Sequence, residues 1–367
     1  MTIPTRVKKV LSVVGARPNF MKFAAVFHAL REREGVDHLV VHTGQHYDSS
    51  MSGRFFDELD IPSPTTNLEV GSATQAKQTA AVMERLEPVL ERERPDWVLV
   101  YGDVNSTVAA ALVAVKLGIK VAHVEAGLRS RDRTMPEEHN RVVTDHLCDL
   151  LFPPSRDAVA TLREEAIPAE RIAFVGNVMI DTLIRLRPVA RTLATARRWG
   201  LPESGYVLVT LHRPGNVDDP GVLAGLCDAL AALAYERPLI FPVHPRTRAR
   251  LETLNLAHRL RGVRLLEPVS YLQMLDLTES AAVVLTDSGG VQEETSFLGV
   301  PCLTVRPNTE RPITVTEGTN QLVQPTTDAI LAAVSNGLRR RATRIERWDG
   351  KAGERIVATL CEGARFV

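Results

Sequence analysis

The sequence predicts an α/β protein built from two doubly wound parallel-sheet domains, and three observations predict it. Short β-branched runs alternate with longer amphipathic stretches, the runs are almost continuously apolar, and the same alternation starts afresh past the middle of the chain. Strands that are apolar on both faces need helices on both sides, which is the setting of a parallel sheet made of βαβ units.

In chain order, a first strand is expected over Val7–Val14 and a helix over Phe20–Glu34. A strand at Leu39–His42, a helix at Gln75–Glu93, a strand at Trp97–Tyr101, a helix at Thr107–Leu117 and a strand at Lys120–Val124 follow. Pro136-Glu137-Glu138 opens a helix, because proline has a preset φ there and acidic side chains suit the first turn. A long helical segment runs from about Met179 to Trp199, and Gly200 to Gly205 is the most turn-rich break between the halves. The second set of strands is expected at Tyr206–Leu211, Leu239–Val243, Val263–Leu266, Ala282–Thr286 and Pro301–Val305. Both halves open alike: the first strand runs into Gly15-Ala16-Arg17-Pro18-Asn19, and its counterpart into Leu211-His212-Arg213-Pro214-Gly215-Asn216.

Composition narrows the partners. The 367 residues carry 44 Lys+Arg against 44 Asp+Glu, so no global field draws the chain to nucleic acid or to an anionic membrane. The longest apolar runs, Ala109–Val115 and Ala281–Leu285, are far short of the roughly 20 residues that span a bilayer. Met1–Val14 lacks the apolar core and cleavage site of a signal peptide, so a cytoplasmic location is expected. Cys148, Cys227, Cys302 and Cys361 show no CxxC or metal-like spacing and read as reduced core thiols.

Ligands of open parallel sheets bind beyond the carboxyl ends of the strands, and those ends are rich in polar residues here. Asp287-Ser288-Gly289-Gly290 follows one apolar run and opens a helical pattern, Val291–Leu298. Bare backbone N–H groups and the Ser288 hydroxyl suit a phosphate, and Glu294 in the same helix suits the two hydroxyls of a ribose. An ordinary helix cap with a glycine turn is the bland alternative. Arg17 and Lys22 bracket the first helix and can neutralise a diphosphate. GxGxxG and GxxxxGK[ST] are both absent, which weakens NAD and P-loop readings. Asp103, Glu125 and Glu137 stand at two strand ends and one helix start; carboxylates crowded together exchange protons near neutrality, which suits proton abstraction at carbon. Considered singly, Asp103 reads first as a helix cap and Glu137, with Glu138, as a first-turn residue after a proline. A metal site is not expected, because no His or Asp stands beside them at ligand spacing. His212 and His244 follow strands of the second half and are candidate acids or phosphate partners.

With these residues in place, the chain resembles the non-hydrolysing UDP-N-acetylglucosamine 2-epimerases from about Lys9 to Val323. The resemblance rests on Gly-Ala-Arg-Pro at 15 to 18, Gly44-Gln45-His46, His-Val-Glu-Ala-Gly-Leu-Arg at 123 to 129, Pro-Glu-Glu-x-Asn-Arg at 136 to 141 and Gly176-Asn177. It continues through His212-Arg213, Asp-Ser-Gly-Gly-Val-Gln-Glu-Glu at 287 to 294, Thr-Glu-Arg-Pro at 309 to 312 and Gly318-Thr319-Asn320. It implies two Rossmann-like domains of glycosyltransferase-B type facing a cleft, at 1–178 and 179–350, with a helix over 351–367 returning to the first. It also implies proton chemistry by Asp103, Glu125 and Glu137, and assistance to the departing UDP by His212. Substrate would be held by Arg17, Lys22, Arg141, Arg213, His244, Ser288, Gly289, Gly290, Glu294 and Arg311. Family chemistry is elimination of UDP to 2-acetamidoglucal and its re-addition, with no cofactor and no metal, in a homodimer.

The chain departs from the family at three places. Asn19 and Gly215 stand where the family usually has glutamates, and both changes bear on how the site is supported. Gln45-His46-Tyr47-Asp48-Ser49-Ser50-Met51 departs from the usual Gln-His-x-x-Met, in a region that in the bacterial family helps form a neighbouring activating site for UDP-GlcNAc. Competing readings are a hydrolysing relative that releases N-acetylmannosamine, a glycosyltransferase of the same fold, and a nucleotide-sugar sensor without turnover.

Overall fold

The computed structural model describes residues 7–44 and 56–366. The first sheet comprises β1 (Lys9–Val14), β2 (Asp37–His42), β3 (Thr66–Asn67), β4 (Trp97–Tyr101), β5 (Lys120–Val124) and β6 (Leu150–Phe152). The second comprises β7 (Val207–Thr210), β8 (Leu239–Pro242), β9 (Val263–Leu266), β10 (Val283–Thr286), β11 (Cys302–Val305) and β12 (Asn320–Val323). Their orders are β3-β2-β1-β4-β5-β6 and β12-β11-β10-β7-β8-β9, with every pairing parallel. Counted from its own first strand, each sheet has the same order, so the echoed segments after β1 and β7 occupy the same topological position. In each sheet the strand order reverses between the first and fourth strands, the place where open α/β sheets bind ligands.

The longer helices of the first half are α1 (Arg17–Arg31), α2 (Gln75–Glu93), α3 (Asn105–Lys116), α4 (Pro136–Leu147), α5 (Arg156–Glu164) and α6 (Val178–Leu193). The second half adds α7 (Pro220–Glu236), α8 (Pro245–Thr253), α9 (Tyr271–Ser280), α10 (Gly289–Leu298), α11 (Thr327–Ser335) and, last in the chain, α12 (Ala352–Glu362). Strands with unbroken apolar runs are buried along their length, as a parallel sheet requires: all of Trp97–Tyr101 in β4 and Cys302–Val305 in β11 are buried.

Several boundaries differ from the sequence expectation for local reasons. Helix α1 starts at Arg17 rather than Phe20, because Pro18 supplies helical φ in its first turn. The segment expected to be one helix to Trp199 breaks at Ala194, whose φ of 46° is left-handed, and resumes only for Thr195–Arg198. Strands β3 and β6 have two and three residues, too short for a periodic signal, and β12 begins with the polar pair Asn320-Gln321. Cys148, Cys227 and Cys302 are buried free thiols, whereas Cys361 is only half-buried on α12.

The chain divides into two compact units, Met1–Ile184 with Glu346–Val367, and Arg185–Ile345, so the division falls inside α6. Within the first unit α12 packs on α1 so closely that a Cβ on Gly353 would lie 2.5 Å from the Ala25 carbonyl oxygen. The Gly353 N–H donates to Asp181 Oδ2 of α6 at 2.8 Å. Among the described residues no helix is long and apolar enough to cross a membrane.

Burial pushes the Asp181 carboxyl up to about 7, with Asp349 adding to the rise while the Gly353 and Ala352 N–H groups and Arg355 oppose it. The folded-state value therefore lies above the unfolded value of about 4, so this group favours folding in its protonated form. Its contribution is fully present below about pH 4, is lost as pH rises from about 4 to about 7, and does not change further above that. Asp181→Asn keeps an acceptor for Gly353 and removes the charge, so it should stabilise the protein at pH 8 by on the order of 1 kcal/mol, with the difference closing as pH approaches about 4. Thermal melts across that range check this; a variant less stable than wild type at pH 8 would contradict it.

Candidate functional site

In the first unit the site grows from the ends of β1, β4 and β5. Asn19 in the first turn of α1 accepts the N–H groups of Gly15 at 3.3 Å and Ala16 at 3.2 Å with Oδ1, and donates from Nδ2 to the Tyr101 carbonyl at 2.7 Å. It thereby ties the end of β1 to the end of β4. A glutamate could accept but not donate, so the asparagine is well suited to this position. One turn along α1, buried Lys22 forms an ion pair with Glu125, their side chains only 6% and 4% exposed.

Tyr101 of β4 is paired with Val124 of β5, so Asp103 and Glu125 emerge side by side from adjacent strands. Both exits need left-handed backbone. Gly102 has φ 63°, and a Cβ there would lie 2.5 Å from Lys22 Nζ. Glu125 adopts φ 74° without being a glycine, a local cost of about 1–3 kcal/mol of the kind found at functional positions.

Helix α4 meets these strand ends. Asp103 Oδ2 accepts from Arg141 Nε at 3.0 Å and Nη2 at 2.7 Å, while Asn140 donates to the Asp103 carbonyl at 2.9 Å. Half-buried Glu137 stands three and four residues before Asn140 and Arg141, which places it on the helix face that meets Asp103. Glu138 accepts from Arg141 Nη1 at 2.6 Å and from the Ser130 and Arg131 N–H groups at 2.9 and 2.8 Å. Burial alone would raise the Glu138 carboxyl, but these donors hold it below the usual range, and it fixes the loop that leaves β5.

In the second unit the corresponding strand ends are those of β7 and β10. Fully buried Asp287 accepts the N–H groups of His212 and Arg213 at 3.0 and 2.9 Å and Asn216 Nδ2 at 3.1 Å. Its Oδ1 lies 3.0 Å from His212 Nδ1. Burial would raise this carboxyl, yet His212 and the other donors hold it below the ordinary range. The partly exposed His212 ring thus has Nδ1 committed to Asp287 and lies 5.4 Å, centroid to centroid, from the ring of His244, which caps α8.

Helix α10 opens at Ser288, whose side chain makes no capping hydrogen bond, and no acidic residue sits in its first turn. Its N–H groups and this hydroxyl form the surroundings an anion seeks. A Cβ on Gly289 would lie 2.4 Å from Arg311 Nη1 and 2.8 Å from Glu310 Oε1, so any larger residue there would have to displace the Arg311–Glu310 pair. Arg311 is buried between Glu293, 3.0 Å from its Nε, and Glu310, and Arg306 pairs with Glu310 at 2.8 Å. In α10, Glu294 accepts from the Tyr271 hydroxyl at 2.9 Å; burial pushes its carboxyl up to about 7 against that hydrogen bond.

The structure therefore brings together Lys22, Asp103, Glu125 and Arg141 in the first unit, and His212, Arg213 and His244 in the second, where Ser288, Gly289, Gly290 and Glu294 share α10. It revises three pictures drawn from sequence. Lys22, expected as a cation for a diphosphate, and Arg311, expected to hold substrate, are each paired with buried carboxylates, and the acidic residues expected to crowd one another are interleaved with cations. Arg17 opens α1, but its side chain, like Gln45–Met51, lies outside the described residues. Among the described residues no group of His, Cys, Asp or Glu is placed to hold a metal ion. Sequence reasoning missed Asp287 as the anchor of His212, although it ends a strand as Asp103 does. It also missed Tyr271, whose partner lies 23 residues away with no local signal.

A family model described as UDP-N-acetylglucosamine 2-epimerase matches residues 28–361. A UDP-N-acetylglucosamine 2-epimerase of Methanocaldococcus jannaschii is 42% identical over 364 residues, covering 97% of this chain and 99% of the relative. A UDP-2,3-diacetamido-2,3-dideoxy-D-glucuronate 2-epimerase of Pseudomonas aeruginosa is 41% identical over 333 residues, covering 90% of this chain and 92% of that one. The crystal structure of the M. jannaschii UDP-GlcNAc 2-epimerase in complex with UDP-GlcNAc and UDP matches with a TM-score of 0.90 at 41% identity, covering 97% of this chain and all of the other.

The Lys22–Glu125 pair is testable without any substrate. Lys22→Met leaves a buried carboxylate without this cation and should cost about 3 kcal/mol of unfolding free energy in urea titrations. Adding Glu125→Gln should recover at least half of that loss. A Lys22→Met protein as stable as wild type would show that the pair is not a buried one.

Proposed function

The chain belongs to the UDP-N-acetylglucosamine 2-epimerase family, and from that premise we propose that it interconverts UDP-N-acetylglucosamine and UDP-N-acetylmannosamine without hydrolysis. The observation that carries this reading is the pair of carboxylates, Asp103 and Glu125, leaving adjacent strands side by side, each against its own cation. Inverting C2 requires groups that take a proton from one face and return one to the other, and Glu137 on the face of α4 that meets Asp103 completes such a set.

In the proposed reaction a carboxylate of this group removes the C2 proton. The C1–oxygen bond to the diphosphate breaks, its electron pair leaves with UDP, and a C1–C2 double bond remains in 2-acetamidoglucal. UDP then adds back to C1 while C2 takes a proton on its other face. The second unit suits the nucleotide: the N-terminus of α10, Ser288 and Arg213 answer the expelled diphosphate, Glu294 accepts from the ribose, and His212, oriented by Asp287, moves a proton at the departing oxygen. Lys22 and Arg141 contribute by holding the carboxylates in place.

The Pseudomonas relative is named for the same inversion at C2 of a different sugar, so the assay offers both sugar nucleotides. Incubated with UDP-GlcNAc alone, the protein should produce a mixture of UDP-GlcNAc and UDP-ManNAc by NMR, with the same composition reached from UDP-ManNAc and no free sugar. Asp103→Asn and Glu125→Gln should lower turnover by about 100-fold or more while UDP still binds. Accumulation of free N-acetylmannosamine and UDP would replace this reading with a hydrolytic one, and turnover of the diacetamido glucuronate alone would move the substrate.

A further inference from the structure

His123, the fourth residue of β5, is fully buried, and both of its ring nitrogens face acceptors. Nε2 lies 2.8 Å from the Gly102 carbonyl oxygen, which has no hydrogen to give. Nδ1 lies 2.6 Å from Asp145 Oδ1 on α4. The other Asp145 oxygen already accepts the Gly127 N–H at 3.0 Å and lies 2.8 Å from the Arg129 guanidinium, so donors surround a carboxylate rather than a carboxylic acid. Burial would raise Asp145, but His123 and Arg129 outweigh it and hold it below the ordinary range. A neutral imidazole carries one N–H and could satisfy only one of these two contacts.

We infer that His123 is a buried imidazolium, clamped by Asp145, that positions Asp103 by donating to the carbonyl of the peptide leading into it. The role of Asp103 in this statement rests on the proposed epimerase reading. The clamp completes a set. Val124 O takes the Gly102 N–H at 3.0 Å, His123 holds the Gly102 carbonyl, Asn140 holds the Asp103 carbonyl at 2.9 Å, and Arg141 holds its carboxylate. The left-handed turn at Gly102 is thus fastened from β5 and α4 at once, and a full positive charge sits one peptide from the proposed acid/base group. The charged groups around the ring are Asp145 and Arg129, with the Asp103–Arg141 and Lys22–Glu125 pairs at the neighbouring strand ends.

The test uses full-length protein labelled with ¹⁵N-histidine, with the His123 signals identified by their loss in His123→Gln. Both ring nitrogens of His123 should show protonated shifts in the folded enzyme under assay conditions, and a single unprotonated nitrogen would overturn the inference. In kinetics, His123→Gln can still reach one acceptor but carries no charge, and should lower kcat by about 10- to 100-fold while KM and UDP affinity stay within about twofold, as expected when a reacting group is misplaced rather than unbound. A folded His123→Gln enzyme with wild-type kcat would overturn the positioning role, and if that variant does not fold, the wild-type spectrum still decides the protonation. A doubly protonated ring in a protein that epimerises neither sugar nucleotide would support the clamp and overturn the reaction instead.

Discussion

The cost of burying charge governs how these strand ends are built. An ionised group taken out of water costs several kcal/mol unless an opposite charge and hydrogen bonds replace the lost hydration. Most charged groups at the strand ends obey this, while Glu294, met by the Tyr271 hydroxyl, has its carboxyl pushed up to about 7 by burial. Lys22 faces Glu125, Arg141 lies between Asp103 and Glu138, Arg129 between Asp145 and Glu165, and Arg311 between Glu293 and Glu310. Such pairs add little net stability, but they fix the position of each carboxylate, and a group whose position is already fixed needs no reorganisation when charge develops on a substrate. The backbone is set to the same end: Glu125 is held at φ 74° by its surroundings, which places its carboxylate against Lys22.

The same pairing of aspartate and histidine stands in different surroundings in the two sheets. In each unit a buried aspartate grips a histidine ring near the point where strand order reverses. In the first unit both nitrogens of His123 are occupied, by Asp145 and by Gly102, so the ring can only hold. In the second, Asp287 grips His212 through Nδ1 and the ring edge is partly exposed, so it is oriented and available. Whether a histidine acts or positions is thus decided by what stands at its second nitrogen, a fact of tertiary structure rather than of the local sequence.

This is also the boundary of what the sequence discloses. Strands β4, β5 and β9 begin and end where the sequence places them, and in β4, buried along its whole length, no charged residue interrupts the apolar run. The polar residues that follow the apolar runs are the candidate site residues, so Asp103, Glu125, His212 and Ser288 are legible from position alone. Partners supplied by other elements are not. Asp145 lies inside an amphipathic helix 22 residues from His123, and Asn19 reaches 82 residues to Tyr101, contacts that no periodicity encodes. Lys22 and Arg311 were legible as cations but not as paired ones, because Glu125 and Glu293 come from other elements of the fold and the adjacent Glu310 shows its pairing with Arg311 only in the folded chain.

The central claim is that the paired carboxylates of the first sheet exchange the proton at C2. Turnover of UDP-GlcNAc in heavy water, followed by proton NMR, tests it most directly. The account predicts that deuterium enters C2 of the UDP-sugar product at each epimerisation and that Asp103→Asn and Glu125→Gln slow this incorporation together with turnover. Interconversion of the two UDP-sugars with no deuterium at C2 would contradict it.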